Sequence, residues 1–268
     1  MIIASKHLPR IITGVILIGV LGTALALSGP YLFGLLLVFT LVGLWEFYAM
    51  FWPDNANLGG RLLGLLLGVV LLASAWVRPE LVITALGLST LLLACLFLFS
   101  WARDDHYRFT RVAVLMGGLL YVPMLIMPAL NFALHEQLLL ICTAAGSDTV
   151  AYFFGMRFGK HKIWPKVSPK KSVEGSLAGL AASVAVAVSF GLAFGVDTAD
   201  WTHYALLGLV LGVMAQLGDF FESALKRSRS VKDSGSVLPG HGGVLDRVDS
   251  LLFVIPTYEC ARAVMTFF

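Results

Sequence analysis

The chain has 268 residues, of which 58% are hydrophobic and only 13% are charged. Soluble domains carry about 25% charged residues, so this composition excludes an ordinary water-soluble domain. The net charge of +3 is small, and the distribution of the basic residues is more informative than their sum. The cysteines Cys95, Cys142 and Cys260 lie in apolar runs without a CxxC pair, which gives no indication of a zinc site or a disulfide framework.

Apolar runs of about 20 residues follow one another along the chain and predict an all-α, polytopic transmembrane protein. Backbone polar groups must be satisfied within the chain in hydrocarbon, so helices are expected, and the alternating strands of a barrel are absent from the sequence. Pro123 and Pro128 are expected to kink the fifth span. About nine spans are predicted, with approximate ends at residues 11–28, 30–51, 61–77, 81–101, 110–132, 137–157, 175–196, 203–225 and 248–267.

The distribution of Lys and Arg predicts the orientation of the spans. With the N-terminus in the cytoplasm, all of the 19 Lys and Arg residues except Arg78 and Arg262 fall on the cytoplasmic side or in the loops that open to it. Cytoplasmic loops of membrane proteins are enriched in Lys and Arg. We therefore expect a protein of the bacterial cytoplasmic (inner) membrane, with loops 157–174 and 226–247 and a polar cavity open to the cytoplasm.

Two regions of different composition are predicted along the chain. Residues 1–135 read as a transmembrane scaffold of about five spans, whereas residues 136–268 read as a catalytic region of about four spans, because ionisable groups enter the spans there. One alternative concerns the start of the chain. Lys6 and Arg10, followed by an apolar run and residues 24–26, also fit a cleavable signal peptide, and cleavage would leave the remaining topology unchanged.

Carboxylates within spans are the first indication of a functional site. The helical rise places Asp148 near the middle of the membrane and Asp219 below its cytoplasmic surface, where Asp246 and Asp249 open the last span. Such groups are expensive in hydrocarbon and are candidates for function. Asp148 and Tyr152 also share one helix face, although a polar seam between helices is an alternative interpretation of that pair.

The loop 165–175 combines two prolines, three lysines and two serines before a helix start. Proline keeps the preceding residues extended, lysines bind phosphate as point charges, and a helix N-terminus adds N–H donors. An ordinary positive-inside loop attracted to anionic lipid is the alternative. The candidates for substrate binding in this loop are Lys166, Lys170, Lys171, Ser172 and Glu174.

A polar stripe follows in the eighth span. Asp219, Glu222, Ser223 and Lys226 lie at i, i+3, i+4 and i+7, which is one face of a helix. Hard oxygen ligands of this kind suit Mg²⁺, and the absence of His and Cys from the stripe argues against a transition metal. Interhelical salt bridges are the alternative interpretation.

The segment 231–249 is rich in glycine and charge. Its glycines flank His241 and would let backbone N–H groups approach a phosphate, while Asp246 and Asp249 form a second pair of hard ligands and Arg247 suits bidentate phosphate binding. A flexible tether between spans is the alternative. Further substrate-binding candidates here and just before the segment are Ser223, Arg227, Lys232, Asp233, His241, Gly242 and Gly243.

These residues carry a resemblance to a known family. The run from Ser223 to Asp249, S-x-L-K-R-x4-K-D-x-G-x2-L-P-G-H-G-G-x-L-D-R-x-D, resembles the diagnostic motif of the phosphatidate cytidylyltransferases, also called CDP-diacylglycerol synthases. The stretches S-D-T-x-A-Y-F and S-P-K-K-S-x-E-G are similar to the same family. The resemblance is specific over residues 147–255, and the first 135 residues agree only in containing several spans.

The resemblance implies an Mg²⁺-dependent enzyme that reacts CTP with phosphatidate in the bilayer and forms a homodimer. Whether a second cation binds in addition to Mg²⁺ stays open. No nucleic-acid partner is expected, and no residue can be singled out as a reader of cytosine. Catalysis would rest on positioning and charge stabilisation. The implied catalytic residues are Asp219, Lys226, Asp246 and Arg247. The implied metal ligands are Asp219, Glu222, Asp246 and Asp249, and Asp148 and Tyr152 would line the cavity wall.

One function of a different class also accounts for part of the pattern. A cation-coupled transporter would use Asp148 and Asp219 as its ion path, but it does not account for the basic glycine-rich loop. A CDP-alcohol phosphotransferase would require a D-G-x2-A-R run, which the sequence lacks.

Overall fold

A computed structural model describes residues 2–53, 56–104, 108–235, 237 and 242–268, and for residues 2–13 it describes the backbone alone. These residues form helices, with no β-strand among them. Short 3₁₀ turns occur at Pro79–Leu81 and Met127–Asn131. The helices are α1 (Ile2–Leu27), α2 (Gly29–Phe51), α3 (Leu58–Val77), α4 (Val82–Trp101), α5 (Thr110–Tyr121), α6 (Pro123–Ile126), α7 (Leu134–Phe158), α8 (Val173–Phe194), α9 (Trp201–Ser228) and α10 (Leu245–Val264).

Seven helical segments in the described part of the chain are long and apolar enough to cross a membrane. They agree with the second to eighth predicted spans to within a few residues, which confirms the all-α, multi-pass prediction. The first predicted span lies in α1, whose described apolar part is Gly14–Leu27. The ninth corresponds to α10, which carries charged residues at both ends and is not among the seven. Nine spans in total therefore remain a prediction.

The fifth predicted span is interrupted where proline occurs. Helix α5 ends at Tyr121, α6 starts at Pro123, and the chain then tightens into a 3₁₀ turn that contains Pro128. Proline lacks an N–H group and clashes with the preceding helical turn, so a continuous helix cannot pass through these positions unchanged. The predicted kink is therefore present as a break in the helix.

The chain divides into two compact units. The first unit comprises Met1–Leu130 with Asp233–Asp246, and the second comprises Asn131–Lys232 with Arg247–Phe268. The central part of the glycine-rich segment, Asp233–Asp246, thus belongs to the unit that contains α1 to α6, whereas the predicted polar stripe of α9 belongs to the other unit.

Tyr48 of α2 lies at the centre of the first unit. Its side chain is fully buried, and its hydroxyl donates a hydrogen bond of 3.0 Å to the carbonyl oxygen of Leu115. Gly64 of α3 and Gly118 of α5 pack directly against the Tyr48 ring, because a Cβ atom at Gly64 would come within 2.6 Å of the tyrosine oxygen. Small residues of this kind let helix backbones approach closely.

In the second unit, α8 packs along both α7 and α9. A Cβ atom at Gly179 would lie 2.9 Å from the carbonyl oxygen of Ser147, so the backbones of α7 and α8 are nearly in contact. At one end of α7, the carboxylate of Glu136 accepts hydrogen bonds from Tyr258 (2.7 Å) and pairs with Arg262 (3.2 Å) of α10. These contacts fix the helices that carry the polar residues of the site.

We expect Gly64→Ala to lower the midpoint of thermal unfolding in detergent. The added methyl group would force the buried Tyr48 ring to move, and overpacking of this kind costs about 1–3 kcal/mol. Gly59→Ala in the same helix is the matched control, because nothing lies within 4 Å of its Cβ position. Its midpoint should be unchanged or slightly higher, since alanine favours helix. Equal midpoints for the two variants would contradict this packing.

Candidate active site

A cavity of about 630 Å³ lies in the second unit, between the C-terminal half of α7, the loop that follows it, and α9. Polar and apolar residues contribute to its wall, which suits a ligand with both kinds of surface. Among the residues predicted from the sequence, those that line the cavity are Asp148, Tyr152, Lys170, Lys171, Ser172 and Asp219.

The loop between α7 and α8 folds back on itself at the rim of this cavity. The Val173 N–H donates to the carbonyl oxygen of His161 (2.8 Å), and Lys162 and Ser172 form an isolated antiparallel bridge. The Trp164 ring packs edge-on against Phe220 of α9 at 4.6 Å between centroids. The loop is thereby anchored to α9, which places Lys170 and Lys171 at the cavity.

Two predicted substrate-binding residues help to hold this loop. The carboxylate of Glu174 accepts hydrogen bonds from the Lys160 N–H (3.0 Å) and from the His161 ring (2.6 Å). The hydroxyl of Ser172 accepts from the Gly175 N–H (3.2 Å) and caps the first turn of α8. Both side chains therefore have a structural partner, and their contact with a substrate stays a prediction.

Asp219 is the carboxylate that faces the cavity from α9. It pairs with Lys171 from the loop and accepts a hydrogen bond from the Ser223 hydroxyl (3.3 Å). The Lys171 ammonium also lies 4.4 Å from the centroid of the Phe220 ring, where cation–π attraction adds to the ion pair. Both side chains of the pair remain partly exposed, so a ligand in the cavity has access to them.

Three carboxylates from three helices act on one another electrostatically in this unit, namely Asp148 of α7, Asp219 of α9 and Asp249 of α10. Ser250 links two of them, because its hydroxyl donates to Asp148 (3.5 Å) and its N–H donates to Asp249 (2.7 Å). Like charges held together in this way favour the binding of a cation.

Gly218 allows α9 and α10 to meet beside these carboxylates. A Cβ atom at this position would come within 2.6 Å of the Asp249 carbonyl oxygen and 3.2 Å of the Ser250 Cα atom. A larger residue would push the two helices apart and separate Asp219 from Asp249. The close packing of α9 against α10 therefore requires a glycine at position 218, directly before Asp219.

The other acidic member of the α9 stripe has a cation of its own. Glu222 has a fully buried side chain and pairs with Lys226 at 3.0 Å. A buried carboxylate requires such a partner, since its desolvation is otherwise expensive. In this pair each side chain neutralises the charge of the other. Metal binding by Glu222 and phosphate binding by Lys226 stay predictions.

The remaining basic candidates of the second unit lie in the loop after α7, at the end of α9 and at the start of α10. The Arg227 guanidinium donates to the carbonyl oxygens of Val167 (3.4 Å) and Val231 (3.3 Å), so it ties the loop to the end of α9. The exposed candidates are Lys166, Lys232 and Arg247.

In the first unit, Asp246 holds the glycine-rich segment. One of its carboxylate oxygens accepts hydrogen bonds from the N–H groups of Gly243 (2.9 Å) and Ser234 (3.0 Å). Gly242 adopts a φ of 81°, a conformation that favours glycine. Asp233 is exposed. The predicted contact residue His241 lies outside the described residues.

The donor set of the second unit fits a hydrated divalent cation. Within the described ranges, no group of three His, Cys, Asp or Glu side chains is arranged to enclose an ion by itself. Mg²⁺ usually takes one or two protein carboxylates and fills its remaining positions with water and substrate phosphates. Asp219 and Asp249 could supply such a pair, and the four-residue ligand set stays a prediction.

The sequence analysis missed a polar pair in the cavity wall. The Gln216 amide donates to the Ser176 carbonyl oxygen (3.0 Å) and accepts from the Ser176 hydroxyl, which joins α8 to α9. Gln216 lies three residues before Asp219, so extending the polar stripe by one turn would have found it. Lys162 is a further missed lysine of the wall.

The fold and the cavity together define a multi-pass membrane protein with acidic and basic side chains around one polar cavity. The sequence model described as the Cytidylyltransferase family matches residues 8–265. The chain therefore belongs to the cytidylyltransferase family, and it is a CTP-dependent nucleotidyltransferase.

Similar proteins include the phosphatidate cytidylyltransferase of Staphylococcus haemolyticus, which is 33% identical over 254 residues, covering 92% of this chain and 95% of that protein. The phosphatidate cytidylyltransferase of Staphylococcus saprophyticus is 32% identical over 187 residues, 69% of this chain and 70% of its own length. The Bacillus subtilis protein of the same name is 40% identical over 110 residues, 41% of this chain and 40% of its own length.

We expect Lys171→Met to lower the rate of pyrophosphate release from CTP by about 100-fold, the loss typical of removing one group that stabilises developing charge. Methionine can still cover the Phe220 ring, but it cannot neutralise Asp219 or a phosphate. Lys160→Met is the matched control, because this lysine belongs to the same loop and does not line the cavity. Equal rates for the two variants would contradict the role of Lys171.

Proposed function

We propose that the protein transfers the cytidylyl group of CTP to phosphatidate, forming CDP-diacylglycerol and pyrophosphate for phospholipid biosynthesis. The observation that carries the proposal is the cavity in which Asp148, Asp219 and Lys171 meet, within a membrane-spanning member of the cytidylyltransferase family. The proposal is supported by a relative named phosphatidate cytidylyltransferase that aligns with 92% of the chain.

The chemistry requires no nucleophile from the protein. A phosphate oxygen of phosphatidate attacks the α-phosphorus of CTP, and the bond from that phosphorus to the oxygen bridging the α- and β-phosphates breaks. Pyrophosphate leaves with the bridging oxygen. Phosphoryl-transfer catalysis of this kind depends on positioning the reactants and stabilising their charge. The protein must therefore bring together two polyanions that repel each other.

The lysines of the cavity wall can reduce that repulsion. Lys170 and Lys171 would bind phosphate oxygens as point charges, and the pairing of Lys171 with Asp219 keeps its ammonium group at the wall before substrate arrives. Lys226 and Arg247 are further phosphate-binding candidates, with Arg247 suited to bidentate contacts. Positively charged groups fixed in place need little reorganisation during the reaction.

The location of Tyr152 suits entry of a lipid. Its side chain lines the cavity and is also 58% exposed on α7, next to the exposed aromatic side chain of Phe153. In a bilayer, exposed tyrosine side chains are enriched at the membrane interface, at the level of the lipid headgroups. We propose that the phosphatidate headgroup reaches the cavity from this side, while its acyl chains stay in the membrane.

Mg²⁺ is the proposed cofactor, with Asp219 and Asp249 as the first candidates to hold it and with Glu222 and Asp246 as further candidates. When bound, the cation would neutralise charge on the phosphates of CTP. Carboxylate oxygens of the chain would orient the cation. Asp219 would contact both the cation and the Lys171 ammonium group.

The distribution of basic residues supports a cytoplasmic location for the active site. Loop 157–174 carries six Lys and Arg residues, as cytoplasmic loops of inner-membrane proteins do: Arg157, Lys160, Lys162, Lys166, Lys170 and Lys171. CTP would then arrive from the cytoplasm of a bacterial cell. Association of two copies into a homodimer is part of the same proposal.

The direct test is to incubate the purified protein with labelled CTP, phosphatidate and Mg²⁺, and to measure both CDP-diacylglycerol and pyrophosphate. Asp219→Asn should reduce both by at least about 100-fold, because it removes a charge that organises the site. Insertion into the membrane should be unaffected.

Asp200→Asn is the matched control for this experiment. Asp200 caps the other end of the same helix, α9, where it accepts hydrogen bonds from the N–H groups of Thr202 (3.0 Å) and His203 (3.2 Å). Asparagine caps helices as well as aspartate does, so this variant should keep its activity. Near-normal turnover by Asp219→Asn, or no lipid product from the wild-type protein, would contradict the proposal.

A further inference from the structure

Glu46 of α2 is a buried carboxylate within a helix that is otherwise almost entirely apolar. Glu46 is only 2% exposed. Its hydrogen-bond partners come from the described part of Asp233–Asp246, which is here called the glycine segment. Both α2 and the glycine segment belong to the first unit. A carboxylate in a membrane span is expensive, so its presence calls for a reason.

Both oxygens of Glu46 accept hydrogen bonds from the glycine segment. One oxygen accepts from the Val244 N–H at 3.0 Å, and the other accepts from the Leu245 N–H at 2.8 Å and from the Ser234 hydroxyl at 3.2 Å. The two N–H groups stand at the start of α10, where donors lack partners within the helix. A negative charge at that end of a helix is also stabilising.

The glycines of the segment leave the space that Glu46 occupies. A Cβ atom at Gly243 would come within 2.6 Å of one Glu46 oxygen, and a Cβ atom at Gly235 would come within 2.8 Å of its carboxylate carbon. Any larger residue at either position would displace the carboxylate. Two glycines of the motif are therefore required by a residue that lies almost 200 positions earlier in the chain.

Glu46 and Asp246 together determine the path of the glycine segment. Asp246 accepts from the Ser234 and Gly243 N–H groups, and Glu46 accepts from the next two N–H groups along the chain, those of Val244 and Leu245. The two carboxylates thus fix both ends of the described segment. Since the Gly243 N–H is already bonded to Asp246, the two carboxylates would act by fixing the backbone conformation that the segment presents to a phosphate.

We propose that Glu46 is a positioning residue for CTP. It acts through the glycine segment by holding that segment in the conformation in which CTP is bound. This inference rests on the proposed function and on the expectation from the sequence that the glycine segment contacts the phosphates of CTP. It predicts that loss of the Glu46 carboxylate impairs the use of CTP and leaves the use of phosphatidate unchanged.

The first experiment compares Glu46→Gln with wild type at varied CTP and at varied phosphatidate. Glutamine has the same shape, but its side-chain NH₂ group would replace one carboxylate oxygen. That NH₂ group cannot accept a hydrogen bond from the backbone N–H group it faces. The KM for CTP should rise by about 10- to 100-fold, the effect of losing a hydrogen bond to a charged group. The KM for phosphatidate should not change. Glu46→Asp keeps the charge and should restore part of the CTP affinity.

Glu136→Gln is the matched control for loss of a buried carboxylate. Glu136 is 5% exposed and accepts hydrogen bonds from the Ala133 N–H (2.7 Å) and from Tyr258 (2.7 Å), all within the second unit. This variant should lower the thermal midpoint without a selective change in the KM for CTP. It separates a general loss of stability from the selective effect expected at Glu46.

A second variant approaches the same contact from the glycine segment. Gly243→Ala would push a methyl group against Glu46 and should raise the KM for CTP selectively, as Glu46→Gln does. The double variant should be less impaired than the product of the two single effects, because both changes disrupt one contact. Gly243→Ala alone keeps the inference testable if Glu46→Gln yields too little folded protein, and an unchanged KM for CTP in that variant would then overturn it.

The outcomes are distinct. A wild-type KM for CTP in Glu46→Gln, or an equal rise for both substrates, would overturn the positioning role. Absence of lipid product from the wild-type protein would instead overturn the proposed function. In that case CTP binding is measured as thermal stabilisation of the purified protein by CTP and Mg²⁺. Glu46→Gln should lower this stabilisation relative to wild type, and equal stabilisation would overturn the inference.

Discussion

The constraint on which this structure depends is that a charge within a membrane span needs a partner from the protein itself. Water is not available in the hydrocarbon core to solvate it, so an unpaired ion is strongly destabilising. The acids of the second unit accordingly have nearby cations or hydrogen-bond donors: Lys226 for the buried Glu222, Arg262 with Tyr258 for the buried Glu136, and Lys171 for the partly buried Asp219.

This constraint couples folding to function. Partners on different helices hold those helices together, and the same charges then remain in fixed positions for a ligand. Asp219 is the example, because its ion pair with Lys171 closes the loop over α9 while both side chains still face the cavity. The close approach of α9 and α10 at Gly218 completes the arrangement by bringing Asp249 near.

Features that depend on the residues of a single helix could be predicted from the sequence. The apolar runs gave seven of the spans within a few residues, the prolines gave the break in the fifth span, and the α9 stripe contained the pair Glu222–Lys226. Spacing of three or four residues places side chains on one face, so such pairs can be identified without a structure.

Contacts between distant segments were not predictable in the same way. Periodicity does not tell which lysine of loop 157–174 pairs with Asp219, since several lie within reach of the helix end. Glu46 was missed because residues 1–135 were interpreted by their composition as a scaffold. A lone carboxylate in an apolar span was the available signal, but only the structure identifies the glycine segment as its partner.

The central claim is that carboxylates from separate helices hold a divalent cation beside the lysines of the cavity. The most direct measurement is titration of the purified protein with Mn²⁺ in the presence of CTP, with bound ion followed by electron paramagnetic resonance. The account predicts saturable binding that Asp249→Asn weakens by more than about tenfold, since even partners outside the ligand shell have effects of that size. Equal affinity in the variant and the wild type would contradict the claim.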